Sequence, residues 1–167
     1  MRIAVLSDTH MPAPDVQLLE VYRRYLAPAD IVVHCGDHVG EAVWEFLAAH
    51  PCFVAVCGNC DAASLQGRLP RLRQVQAGRW LLGVAHGWGP RSLVGATVAE
   101  AFPDVHMVCY GHTHKRHWQR LQDGRWILNP GSLLHPRDEH PAGLALVDWD
   151  GQIPRVEWVN WEGVSEG

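Results

Sequence analysis

Residues 2–10, RIAVLSDTH, decide the reading: Arg2 to Leu6 form a short β-branched and aliphatic run that stops at Ser7 and gives way to an aspartate and a histidine. Such a run predicts a short strand with chemistry at its end. Ile31 to Val33 and Phe53 to Val56 repeat the pattern, running into HCGDH and CGNCD. Between the first two runs, Val16, Leu18, Leu19, Tyr22, Tyr25 and Leu26 approximate a helical stripe. Val43, Trp44, Phe46 and Leu47 do so between the second and third. Strand, helix, strand, helix, strand predicts a parallel sheet with right-handed crossovers, hence an α/β fold. From Val75 the style changes. Trp80 to Ala85 and Met107 to Tyr110 read as buried strands around a helix at Leu93 to Phe102. His117 to Leu121, Trp126 to Leu128, Leu144 to Trp149 and Arg155 to Trp161 then read as strands, with turns at Asp123-Gly124 and Asp150-Gly151, the pattern of antiparallel hairpins. No repeat or linker divides the chain, so residues 1–167 are expected to form one domain.

Composition narrows the function. With 47% hydrophobic and 19% charged residues the chain lies far from the signature of disorder. A net charge of -4 and a pI near 6.2 supply no basic field for nucleic acid or anionic membranes. Arg68, Arg71 and Arg73 make a modest basic cluster without interleaved aromatics, which reads as a solvated loop face. No window approaches the roughly 18 apolar residues of a membrane span, and the apolar start is too short for the core of a secretion signal. With an odd count of five cysteines, the expected setting is the reducing cytoplasm. Histidine is the unusual entry: 11 stand against 14 Lys plus Arg, of which only Lys115 is a lysine. That excess invites metal or acid–base chemistry.

The candidates gather where strands end. Asp8 and His10 lie two residues apart beyond the first strand, and extended backbone would point both to one side. His112 and His114 repeat the spacing. Asp37, Asn59 and His86 follow three further strands, each beside a glycine. In an open α/β sheet the carboxyl ends of strands form one crevice, so these loops are expected to converge. Seven donors are too many for one four-coordinate ion and suit two ions sharing a bridging carboxylate. Two divalent ions bring four positive charges and the two aspartates return two, leaving charge for a hydroxide and an anionic substrate such as phosphate. The mixed nitrogen and oxygen donors favour Mn, Fe, Zn, Co or Ni over Mg or Ca.

SDTH (7–10), GDH (36–38), GNCD (58–61), HG (86–87), GHTH (111–114) and NPGS (129–132) resemble, in order, the signature blocks of the calcineurin-like metallophosphoesterases, in particular a subgroup of small bacterial and archaeal phosphodiesterases. The resemblance implies two facing mixed β-sheets, a β-sandwich, flanked by α-helices. It implies two divalent ions, manganese first among the candidates, one held by Asp8, His10, Asp37 and His114, the other by Asp37, Asn59, His86 and His112. A hydroxide bridging them would attack the phosphorus of a small phosphoester while His114 steadies the developing charge. NPGS is expected either to shape the site wall or to form a buried structural turn. One position departs. Cys60 stands where many members of the wider superfamily carry a histidine that serves the leaving oxygen, and a thiol is a poor proton donor there. Asp61 or water is then the expected acid, or the enzyme prefers good leaving groups. The same fold also resembles a retromer subunit that acts as a binding scaffold; its ligand set is incomplete, whereas all seven positions are filled here.

Other residues carry weaker expectations. Cys57 and Cys60 have redox spacing, but Asn59 between them is already claimed as a ligand. His34 and His38 flank Asp37 and read as structural or as orienting ligands. His117, His135 and His140 read as entrance or solvated loop residues, and His50 and His106 as structural or exposed. Cys35, Cys52 and Cys109 are expected to pack as small hydrophobes. Trp149, Trp158 and Trp161 are expected to cover the sheet, a homo-oligomer contact being the alternative. Loops at 62–73, 86–92 and 135–140 are expected to set selectivity.

Overall fold

Apolar residues at consecutive positions suit strands covered on both faces. The computed structural model describes residues 1–162, so the last five residues of the expected 1–167 domain lie outside the described residues. Its elements run β1 (Arg2–Leu6), α1 (Val16–Val21), β2 (Ile31–His34), α2 (Glu41–Leu47), β3 (Phe53–Ala55), α3 (Ala63–Arg68), β4 (Leu72–Ala77), β5 (Trp80–Ala85), α4 (Val94–Glu100), β6 (Met107–Cys109), β7 (Arg116–Arg120), β8 (Trp126–Pro130), β9 (Gly143–Asp148) and β10 (Arg155–Asn160). One sheet has the order β10-β9-β1-β2-β3, with β1, β2 and β3 parallel and β9 and β10 antiparallel additions. The other has the order β4-β5-β6-β8-β7, with β5, β6 and β8 parallel. Both sheets are mixed, and they face each other as the β-sandwich expected from the sequence.

Three apolar layers hold this together. Ile3, Val5 and Val33 of the first sheet pack against Leu82, Val84, Met107 and Leu128 of the second. The alternate residues Ala4, Leu6 and Val32 face outward, onto Leu18 and Val21 of α1 and Val43 and Leu47 of α2. Behind the second sheet, Val94 and Val98 of α4, with Phe102, cover Val108 and Ile127. Strands buried on both sides explain why the sequence shows runs rather than alternation.

Departures from expectation have local causes. The stripe through Leu26 is α-helical only to Val21, and Tyr22–Leu26 continue as one π-helical turn. The loop expected at 62–73 contains α3 and the start of β4. β4 is an exposed edge strand whose residues Leu72 to Gln76 are exposed or only half-buried, so it lacks the apolar period that reveals a strand. Cys52 is exposed rather than packed, while Cys35 and Cys109 are buried. Trp149 stacks on Trp80 at 4.4 Å between ring centroids inside the sandwich, and Trp161 packs on the outer face of the first sheet. Among the described residues no helix is long and apolar enough to cross a membrane.

Two glycines test this packing in opposite directions. A Cβ on Gly83 of β5 would lie 2.5 to 2.9 Å from Phe102 ring carbons, whereas one on Gly67 of α3 would meet nothing within 4 Å. Gly83→Ala should destabilise by about 1–3 kcal/mol through overpacking, and Gly67→Ala should stabilise by roughly 0.5–1 kcal/mol through helix propensity. Urea unfolding midpoints should therefore move in opposite senses.

Candidate metal centre

All the candidate donors lie just beyond β1, β2, β3, β5 and β6, at the carboxyl ends of parallel strands. The first two loops are zipped together: the Asp8 N–H donates to the Gly36 carbonyl, His10 to Asp37 and Met11 to His38, each at 3.1 Å. The extended geometry expected for Asp8 with His10, and for His112 with His114, is not what the structure shows. Those four residues and Asp37 all have left-handed backbone, with φ from 48° to 69°. Aspartate and histidine tolerate this region better than most residues, at about 1 kcal/mol or more each. Each residue turns the chain as it leaves its strand, so side chains from five loops converge. Two glycines permit the close approach: a Cβ on Gly58 would strike the Asp37 carboxylate, and one on Gly111 would strike Ser7 and Asp8.

The convergence sets acceptor against acceptor. Asp8 is fully buried; its Oδ2 accepts from the Ser7 hydroxyl at 2.7 Å and the His112 N–H at 3.0 Å, while Oδ1 has no hydrogen-bond partner. That orphaned oxygen lies 3.2 Å from His114 Nε2 and 3.8 Å from His10 Nε2. His114 Nδ1 donates to the His135 carbonyl at 2.7 Å, which leaves Nε2 as a lone pair. His86 is built alike, with Nδ1 donating to the Cys35 carbonyl at 2.8 Å and Nε2 facing Asp37 Oδ2 at 3.3 Å and Asn59 Oδ1 at 3.1 Å. His112 Nδ1 reaches the same Asn59 oxygen at 3.1 Å, and His10 Nε2 lies 3.6 Å from Asp37 Oδ2.

Lone pairs so arranged repel unless a cation stands among them. Burial works to lower the His86 imidazole, but the Asp37 hydrogen bond and the charges of Asp8 and Asp37 raise it above its ordinary value. Burial likewise works to raise the Asp8 carboxyl, yet His10 and His114 hold it well below the usual carboxylate range. Asp37 is lowered too, against burial, by His86 and the Cys60 N–H. A proton on His86 relieves the repulsion in part, and a divalent ion would do so with more charge. Ligands about 2.0–2.3 Å from an ion stand roughly 2.8–3.8 Å apart, and the separations of 3.1 to 3.8 Å are of that size. Asp8, His10 and His114 form one compact donor group, Asp8, Asp37 and His86 another, and His10, Asp37 and Cys60 a third. The residues present fit the metals that the sequence implies.

Both residues expected to be catalytic are held in the frame of the centre. Asp61 is 3% exposed and accepts backbone N–H bonds from Gly58 at 2.7 Å, Val39 at 2.8 Å and Asp37 at 3.2 Å, with His38 Nδ1 at 3.4 Å. Burial would raise its carboxyl, but His38 and those N–H donors hold it below the usual range. Accepting from both sides, it ties the Asp37 loop to the Asn59 loop. His114 has one nitrogen on the His135 carbonyl and the other among the donors, 3.2 Å from Asp8 Oδ1. Cys60 is no better an acid, because burial and the Asp37 carboxylate push its thiol up to about 11.

Several neighbours brace this frame. His34 and His38, both fully buried, stack at 3.6 Å between centroids, and His34 Nδ1 accepts from the Gly36 N–H. The NPGS turn lies beneath the site: Asn129 Nδ2 donates to the Gly111 carbonyl at 2.9 Å and the Ser132 hydroxyl to the Asp8 carbonyl at 2.7 Å. His135 lines the rim with its ring 6.2 Å from that of His10. His117 instead bonds the Tyr110 hydroxyl at 2.8 Å, His140 pairs with Asp138, His50 is buried against Ala29 and His106 is exposed. The part played by Asp61 was signalled only by its place two residues after Asn59.

Comparison with known proteins bears on this geometry. The sequence profile of the Calcineurin-like phosphoesterase superfamily domain matches residues 1–152. The probable metallophosphoesterase YsnB of Bacillus subtilis is 25% identical over 98% of this chain and 93% of its own length. A phosphodiesterase of Methanocaldococcus jannaschii is 27% identical over 78% of this chain and 83% of its own. The crystal structure of Chaetomium thermophilum Vps29 superposes with a TM-score of 0.71 at 20% identity, covering 93% of this chain and 94% of that one, a likeness of fold.

Asp61→Asn keeps the shape of the clamp but not its charge. Metal affinity measured by calorimetry should fall about 10–100-fold, as when a ligand-orienting partner is lost. The depressed carboxyl contributes stability that is present above the ordinary carboxylate range and lost as pH falls through and below it. Urea midpoints of Asp61→Asn should accordingly lie below those of the parent at neutral pH, and the gap should close in acid.

Proposed function

The chain belongs to the calcineurin-like phosphoesterase superfamily, and on that premise we propose that it is a metal-dependent phosphodiesterase acting on small phosphoesters with two divalent ions, manganese first among the candidates. The observation that carries this reading is the orphaned, fully buried Asp8 Oδ1 set against imidazole lone pairs. A protein that only needed a stable fold would gain nothing from that contact, since an unpaired buried acceptor costs about 1–3 kcal/mol.

Asp8, His10, Asp37 and His114 would hold one ion and Asp37, Asn59, His86 and His112 the other, with Asp37 shared. Bound there, the ions supply the charge that acidifies a water and steadies the oxygens around phosphorus during in-line displacement. The chain's own work is orientation. The carbonyls of His135 and Cys35 fix the tautomers of His114 and His86, so each presents Nε2 inward without adjustment. Asp61, by holding the Asp37 and Asn59 loops together, keeps the shared carboxylate at the junction of the two donor sets. Since neither Asp61 nor Cys60 gives up a proton readily, esters whose leaving oxygen needs none are the favoured substrates.

The alternative function, a binding scaffold of the same fold, draws support from the likeness to Vps29 alone. Fold does not carry function, and the filled donor set favours the enzyme.

Metal-stripped protein given Mn, Ni, Zn, Co or Mg in turn should hydrolyse bis(p-nitrophenyl) phosphate faster than p-nitrophenyl phosphate, and Asp37→Ala should lower kcat/KM by at least about 100-fold. Inactivity with every metal, or full activity in Asp37→Ala, would overturn the reading. Cys60→His should raise the rate on poor-leaving-group diesters relative to good ones by about tenfold or more, an effect read from the slope of log kcat against leaving-group pKa.

A further inference from the structure

Next to the donor cluster the surface opens into a cavity of about 490 Å³, within the range of small-molecule sites, about 300–1,000 Å³. Asn59 and His86 line it. It therefore begins where a phosphoryl group held by the cluster would stand. The rest of its lining has a different chemistry. Trp88 and Leu72 are 43% and 44% exposed, and they bring an aromatic ring and a branched aliphatic chain to the cavity. Arg71 and Gln66 bring polar edges to it.

These four residues are positioned rather than merely nearby: Leu72 is held in β4 by its pairing with Ala85 of β5. Trp88 lies between Gly87 and Gly89, with φ of 110° and 85°, and a Cβ on Gly87 would stand 2.6 Å from Val94 Cγ1, so the loop is seated on α4. Arg71 follows Pro70, whose carbonyl accepts the Cys57 N–H at 2.9 Å, which pins it to the segment leading into Asn59. Among the described residues Arg71 pairs with no carboxylate. Gln66 donates through Nε2 to the Asp61 carbonyl at 2.8 Å, which orients its amide.

An alkyl arm on the substrate would use Trp88 and Leu72 and leave Arg71 idle. A second phosphate would use Arg71 and leave the tryptophan idle. A planar ring with hydrogen-bond acceptors on its edge uses all four, because rings stack on tryptophan and guanidinium groups read ring acceptors. The geometry points to a nucleoside subsite: one arm of the phosphodiester is a nucleoside whose base lies on Trp88 beside Leu72, with its edge read by Arg71 and Gln66, while the phosphoryl group meets Asn59 and His86. This rests on the phosphodiesterase reading and names its substrate class.

Thymidine 5′-(p-nitrophenyl phosphate) and methyl p-nitrophenyl phosphate share a leaving group and differ only in the other arm. With manganese-loaded protein, kcat/KM should be at least about tenfold higher for the thymidine ester, and Trp88→Ala and Arg71→Gln should each reduce that ratio several-fold. A ratio of threefold or less in the parent, or one that neither variant moves, overturns the subsite. If no metal supports hydrolysis of either ester, it is the phosphodiesterase reading that has failed, and calorimetry with the manganese-loaded protein decides the subsite separately. Thymidine 5′-monophosphate binding at least tenfold tighter than methyl phosphate, with the advantage lost in Trp88→Ala, sustains it; equal binding of the two overturns it.

Discussion

The Asp37 carboxylate is where the two sheets meet chemically. It leaves the first sheet at the end of β2, and its Oδ2 faces His10 from the neighbouring loop at 3.6 Å and His86 from the opposite sheet at 3.3 Å. Its Oδ1 accepts the Cys60 N–H at 2.7 Å. A carboxylate so far from water, 2% exposed, is costly unless surrounding groups compensate it. The compensation comes from backbone and imidazole groups on three other loops, so none of those loops can move alone. Parallel strands ending at one edge are what makes that agreement attainable, and the glycine at position 58 is what allows it sterically.

The same convergence makes the centre a place of deliberate local disadvantage. Five candidate ligands sit in left-handed backbone, and one buried oxygen is left without a donor. Such strain persists only where the surroundings over-determine it. Here the NPGS turn below, the stacked pair His34 and His38 beside it, and the Asp61 clamp between two loops supply that support. The chain has a net charge of -4 and a single lysine, so the carboxylates of this centre are compensated by imidazole and backbone N–H groups and not by lysine. The cavity beside the centre is lined differently, by Trp88 and Leu72 together with Arg71 and Gln66.

Much of the architecture was legible because it follows from local rules. β1, β2, β3, β5 and β6 are apolar at nearly every position since both faces are covered, and each ends on the polar block that carries a donor. β4 was not legible: an exposed edge strand has no buried face to impose a period. Nor was the backbone of Asp8, His10, His112 and His114, because spacing alone does not separate an extended pair from one turned through positive φ. Cys52 looked like Cys35 and Cys109 in sequence and differs only in what covers it.

By itself, then, the amino-acid sequence determined which side chains stand at the strand ends and in what order, since strand length and polarity are written in neighbouring residues. The tertiary structure alone decided what those side chains are. Asp61 and Asp37 are both aspartates shortly after a glycine, yet one accepts three backbone N–H groups and clamps two loops, while the other turns an oxygen toward imidazoles from both sheets. Charge state and role are set by neighbours in space, and at this site most of those neighbours come from loops more than 20 residues away along the chain.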